Sequence, residues 1–343
     1  MESSISRRDF LKGSIIVAAG ALSTYALAGC VGSATASSSA AATSTSGSQK
    51  VTVHRGYVAA HGDKAFTQIV VAVGEDGKIV AANVDDYQFI AKDTAGVVGV
   101  PNSSGGFSAG IIDGYILMSK TENDAVYSAM MAKGGSTQNW LKSMSAIETF
   151  AVGKKPSELT AVSGTDAVSG ATLSSTVDYL AGIAQVAGDA TLVATGTYEG
   201  ANSTLKLGRV TASAHGDKAF ASAVTLIQDN TIVATSIDEF QFMASTTAGL
   251  VGVPNSNAGF GGYYTSGQVL ASKSINSASY SAQMAAKAGA TTPWLTSMQA
   301  IENTLAGQKI SSVSISGPDA VSGATLTDTA AYAKAAVAAA QNV

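Results

Sequence analysis

The period of apolar and polar positions changes along this chain. Short alternating apolar runs at 66–73 and 79–84, bounded by Gly and Asp, predict half-buried antiparallel strands. Later the spacing turns helical, at 125–133, 139–150 and 174–187, where Ala, Met and Leu are frequent. In the last of these Val177, Leu180, Ile183, Ala184 and Ala187 fall on one face, as a helix packed on a sheet requires. Strands first and helices afterwards predict an α+β fold.

The whole series occurs twice. HGDKAF at 61–66 returns at 215–220, VGVPNS at 98–103 returns at 251–256, and DAVSGATL at 166–173 returns at 319–326. Trp140 and Trp294, and the SMxAIE runs at 143–148 and 297–302, obey the same offset of 153 or 154. Two tandem copies of one small domain, each an antiparallel sheet with packed helices, are therefore expected at 51–190 and 200–343. A period this long describes paired domains rather than a solenoid.

Ahead of them, residues 6–12 read SRRDFLK, and a charge-free apolar stretch over 13–29 closes in LAGC at 27–30. This resembles a twin-arginine export signal ending in a lipoprotein cleavage box. A stretch of that length with three glycines is short for a membrane span. Residues 1–29 are thus the expected signal and Cys30 the expected lipidation site. Residues 30–50, nearly all Ser, Ala, Thr and Gly, read as a flexible linker reaching about 25 Å. The expected location is the cell surface, lipid-anchored to the outer face of the cytoplasmic membrane.

Composition narrows the chemistry. Charged residues make up 13% of the 343, about half the usual share, while 46% are hydrophobic and the net charge is −4. Of four arginines, Arg7 and Arg8 lie in the signal, which leaves no basic surface for a nucleic acid. The single cysteine excludes an internal disulfide, a four-cysteine zinc site and a thiolate-held iron–sulfur cluster within one chain. Three histidines are too few for a haem or multi-histidine metal centre, so no metal is expected. Hydroxyls, carboxylates, backbone groups and an organic cofactor remain.

Comparing the copies singles out one segment. Between residues 103 and 126 the first copy differs widely from its counterpart, whereas DAVSGATL is unchanged over eight positions. On the plain reading, Ser, Gly and Thr form a turn and cap the following helix. On the other, the crowded hydroxyls sit where free amides and the helix dipole favour a phosphate. Gly170 and Gly323 would then keep the approach clear, and Ser174 and Thr327 would offer a hydroxyl in the first helical turn. The residue types alone leave both readings open.

The pattern DxxSGATxT resembles the flavinylation motif of FMN-binding domains, as in subunits of the sodium-pumping quinone reductase and Rnf complexes. In that family an FMN transferase moves FMN from FAD onto the hydroxyl of the last motif residue. The resemblance implies an acceptor at Thr327. The matching residue of the first copy is Ser174, a departure from the commoner threonine. Asp166, Ser169, Gly170, Ala171 and Thr172, with Asp319, Ser322, Gly323, Ala324 and Thr325, become the implied recognition and phosphate shell. Together with HGDKAF and the runs at 84–89 and 237–242, the chain from about residue 51 onward resembles tandem flavinylated lipoproteins of Gram-positive extracellular electron transfer.

That resemblance implies a redox carrier with up to two covalent FMN groups. It would be matured by an FMN transferase, fed by a quinol- or NADH-linked membrane donor, and discharged to an extracytoplasmic acceptor. Neither a dinucleotide fingerprint nor a P-loop is present, so electrons would not come from NADH bound to this chain. Two other functions are weighed beside it: a flavin-dependent reductase of one small molecule, and a non-redox binding module. His61 and His215 read either as charges near the cofactor or as solvated strand ends. Trp140 and Trp294 read as core more readily than as stacking partners. Asp85 and Asp238 either end a strand or bond the cofactor.

Overall fold

The structure is a computed structural model that describes residues 47–164 and 167–343. The expected signal, Cys30 and Asp166 lie outside the described residues.

The predicted strands are longer and more deeply buried than alternation implied. β1 (Ser48–Val58) starts within the stretch whose composition reads as linker. β2 (Ala65–Gly74) carries eight consecutive buried residues and β3 (Ile79–Ala91) runs well past residue 84. β4 (Tyr115–Ser119) follows, and the order in the sheet is β4-β3-β2-β1-β5, every pair antiparallel. β5 (Val193–Glu199), from the stretch between the two expected domains, completes this sheet against β1. The second sheet is β6 (Leu205–Ala212), β7 (Ala219–Gln228), β8 (Thr231–Ala244) and β9 (Gln268–Ser272), in that spatial order.

Helices follow the strands in each half. In the first they are α1 (Asp124–Lys133), α2 (Trp140–Ala151), the short α3 (Pro156–Thr160) and α4 (Thr176–Ala187). In the second they are α5 (Ser277–Ala288), α6 (Trp294–Leu305) and α7 (Thr329–Gln341). Helix α2 buries Trp140, Met144, Ile147 and Ala151, one face of a 3.6-residue period, against the first sheet. Both tryptophans are core residues. The fold is mixed helix and antiparallel sheet, as the order of elements required.

Both faces of each sheet are covered, which explains the strands buried on both sides. Ile69, Val71, Ile79 and Val84 face the helices, whereas Val51, Val53, Val70 and Ala72 meet Val224, Leu226, Val233 and Ala234 of the other sheet. The layers are helix, sheet, sheet, helix, and the described residues pack as one compact unit. A Cβ at Gly196 of β5 would collide with the carbonyl of Val233 on β8, so only glycine permits this approach.

Contacts across the sheet–sheet seam are reciprocal. Asn102 donates to the carbonyls of Gly216 and Ala219 at 2.7 and 2.6 Å, and Asn255 to those of Gly62 and Ala65 at 2.8 and 2.7 Å. Phe66 and Phe220, the last residues of the two HGDKAF hexapeptides, belong to an aromatic cluster shared by both halves. Arg55 and Arg209, the arginines outside the signal, are both buried in this seam. The Arg55 guanidinium donates to Gln68, Ser222 and Ser236, and that of Arg209 to Asp85 and Ser119.

Candidate cofactor site

In each half the motif loop runs along the helix that opens with tryptophan and then into the last helix. Ser143 of α2 accepts from the Thr172 amide at 3.4 Å, and Ser297 of α6 from the Thr325 amide at 3.3 Å. Ala171 and Leu173, with Ala324 and Leu326, are buried and anchor the loop. Ser169, Thr172 and Ser174 alternate outward, as do Ser322, Thr325 and Thr327, all exposed. Asp319 is exposed in a short 3-10 turn just upstream.

Gly170 and Gly323 have φ of 86° and 87°, a conformation that side chains other than hydrogen disfavour. A Cβ there would meet only ordinary contacts with Ala146 and Ala300. The turn conformation by itself thus calls for glycine at both positions. The hydroxyls of Ser174 and Thr327 sit differently from expectation. The last helices begin at Thr176 and Thr329, so Ser174 and Thr327 stand two residues before the first turn. The capping reading is not realised by side chains: Ser175 and Asp328, at the N-cap positions, make no side-chain capping bond.

Each exposed hydroxyl borders a cavity, and the two cavities are built from corresponding residues. The first, about 350 Å³, is lined by His61, Tyr127, Met131, the 134–137 loop, Thr172 and Ser174. The second, about 330 Å³, is lined by His215, Tyr280, Met284, the 288–291 loop, Thr325 and Thr327. These volumes lie at the lower end of the range of small-molecule sites, about 300–1,000 Å³, and the mixture of apolar walls with a few polar groups is typical of them. The structure thus brings the histidines of HGDKAF, far away in sequence, to the end of the motif.

Sequence reasoning missed a buried ion pair at each cavity, behind the lining in the first and with its lysine, Lys273, part of the lining in the second. Lys120 and Asp86, both without exposure, pair at 2.9 Å, and Lys273 pairs likewise with Glu239. Each ammonium also lies over a cavity tyrosine, 4.3 Å from the Tyr127 ring centre and 4.4 Å from that of Tyr280. Tyr179 donates to Asp86 at 2.5 Å and Tyr332 to Glu239 at 2.9 Å. Burial pushes the Asp86 carboxyl up, yet Lys120, His61 and the Thr67 and Tyr179 hydroxyls together hold it below its ordinary value. Burial and then Lys120 push the His61 imidazole down, so it is no solvated strand end. Asp85 and Asp238, whose role the sequence left open, pin the chain after β4 and β9: Asp85 accepts from the Thr121 amide and Asp238 from the Ser274 amide, each at 3.0 Å.

The twin-arginine translocation (TAT) pathway signal sequence matches residues 4–24. The chain is addressed for export across the cytoplasmic membrane. No curated protein and no solved structure matches it. Among the described residues no helix is long and apolar enough to cross a membrane.

Proposed function

We propose that this is a lipid-anchored, extracytoplasmic electron carrier holding FMN as a phosphoester on Thr327 and on Ser174, one group in each of two tandem copies of an FMN-binding domain. The observation that carries the reading is the position of the two hydroxyls: both are exposed, and both border a cavity of small-molecule size. The exposed hydroxyl is open to a transferase, which forms the phosphate ester from FAD and releases AMP. Thr172 and Ser169, with Thr325 and Ser322, supply further hydroxyls along the same exposed edge.

The fit rests on three properties of the cavities. Met131 and Leu173, or Met284 and Leu326, offer apolar walls for a flat heteroaromatic ring. Tyr127 and Tyr280 are held in place by the lysines behind them. His61 and His215 present imidazole nitrogens at the rim. FMN, when bound, supplies the redox chemistry, while the chain holds and orients it and tunes its electronics. A tether suits an exported protein, because it keeps the local concentration near the millimolar range whatever the surroundings contain. Lipid on Cys30 would keep the carrier beside a membrane donor, with an acceptor outside.

The test is to co-express the full chain with an FMN transferase, denature it and follow flavin fluorescence and intact mass. Two FMN groups on the parent, one on Thr327→Val and one on Ser174→Ala support the reading. A mass equal to that of the bare polypeptide ends it and leaves the non-redox binding module. Saturable oxidation of the reduced protein by a single compound would favour the reductase.

A further inference from the structure

The two cavities share a plan but not a charge. In the first, every oxygen of the buried carboxylate is taken: Thr67 donates to Asp86 Oδ1 at 2.6 Å, and Lys120 and Tyr179 to Oδ2 at 2.9 and 2.5 Å. In the second, Lys273 and Tyr332 both address Glu239 Oε2, and Oε1 has no partner. The strand register explains the difference. Thr67 stands opposite Asp86, whereas Ala221, with no hydroxyl, stands opposite Glu239.

A second difference lies at the rim. The residue before α4 is Ser175, and His61 Nε2 lies 3.2 Å from the Tyr127 hydroxyl. The residue before α7 is Asp328, whose carboxylate lies 2.5 Å from His215 Nδ1. Apart from tyrosines, the ionisable group lining the first cavity is His61, with the Lys120–Asp86 pair behind it, and Asp178 in the first turn of α4 is exposed and outside the lining. His215, Lys273 and Asp328 line the second, with Glu239 behind Lys273. With the imidazoles neutral, the first set is balanced and the second carries one excess negative charge.

We propose that Asp328, with the half-paired Glu239 behind it, makes the second site the stronger reductant, so that electrons shared between the two sites reside mainly in the first. The inference rests on the FMN reading above. Reduction adds negative charge to a bound redox group, and a fixed carboxylate at the same cavity opposes it. Asp328 acts here as a positioning charge at the rim and takes no part in any bond change.

The experiment uses the full chain matured with the transferase, with two attached FMN groups verified by intact mass. Ser174→Ala leaves only the second site loaded, Thr327→Val only the first, and each is poised against redox dyes at about pH 8.5, well above the ordinary imidazole range. The expected result is a preference of at least tenfold for reduction of the first site, about 30 mV for a two-electron couple. Asp328→Ser should abolish most of the gap, and Ser175→Asp should lower the potential of the first site; the second variant tests the idea even where the first folds poorly, and a merely structural aspartate would not transfer its effect. Equal potentials, a more oxidising second site, or a gap untouched by both substitutions would overturn the proposal. A parent whose mass shows no FMN instead overturns the reading on which it rests, so the two failures are distinguishable.

Discussion

Arg209 on β6 donates to Asp85 on β3 across the seam between the two sheets, and both side chains are almost wholly out of water. Asp85 also accepts from Ser119 and Thr121, so this one carboxylate ties the end of β4 to the opposite half. Removing one member of such a pair leaves the other charge buried and uncompensated. Arg209→Ala should cost about 3–5 kcal/mol of unfolding free energy. Urea denaturation checks it; a loss below 1 kcal/mol would mean that water reaches the seam.

The motif glycines make a different prediction. At φ of 86° and 87° an alanine is strained at Gly170 or Gly323, while the space around it is adequate. Gly323→Ala should therefore destabilise by about 1–3 kcal/mol without unfolding the protein. If Thr327 is the FMN acceptor, the shifted turn should also lower labelling at that site while Ser174 labels as before. Thermal melting and the mass of each flavinylated peptide separate the two effects.

The buried pair at the second cavity yields a cycle. Lys273→Met strands Glu239, which already has one oxygen without a partner, and should cost about 3–5 kcal/mol. Adding Glu239→Leu removes the stranded charge and should restore most of that loss. The expected coupling between the two substitutions is read from four urea curves. Strict additivity would show that the pair does not function as a unit.

Much of this architecture was legible in the sequence, for reasons that differ by element. The helices at 125–133 and 139–150 were marked by residues such as Met144 and Ile147 at helical spacing, and the structure places them within a residue or two. The start at residue 174 was misplaced, because Leu173 and Ser174 continue the apolar and hydroxyl pattern of the helix while still belonging to the loop. Strand alternation was misleading at Ala65–Ala72: both faces are buried there, and a period of two carries no information when each side meets a core. The motif hydroxyls could be read from repetition, but the lysines could not. Lys120 and Lys273 occur in stretches that otherwise drift, and only the fold shows that each is sealed beneath a tyrosine. Arg55 and Arg209 carried a signal that went unused: arginine is scarce here, and both copies keep one at the same offset.

Glu302 supplies the pH dependence. On α6 it accepts from the Ile237 amide at 2.6 Å, on the edge of β8 that β9 no longer covers. Glu148 does the same for Val84 at 2.7 Å but is the less deeply covered of the two. Burial pushes the Glu302 carboxyl up to about 8, from an ordinary value of 4.5. Between those values the folded protein retains a proton that the unfolded chain has released, so this group lowers stability as pH rises from about 4.5 to about 8 and adds no further slope above. Glu302→Gln keeps a carbonyl oxygen for the Ile237 amide and removes the titration. The variant should match the parent near pH 5 and exceed it at pH 8 by on the order of 3 kcal/mol. Urea unfolding at the two pH values decides the matter, since parallel behaviour of variant and parent would mean that Glu302 is ionised in the folded state.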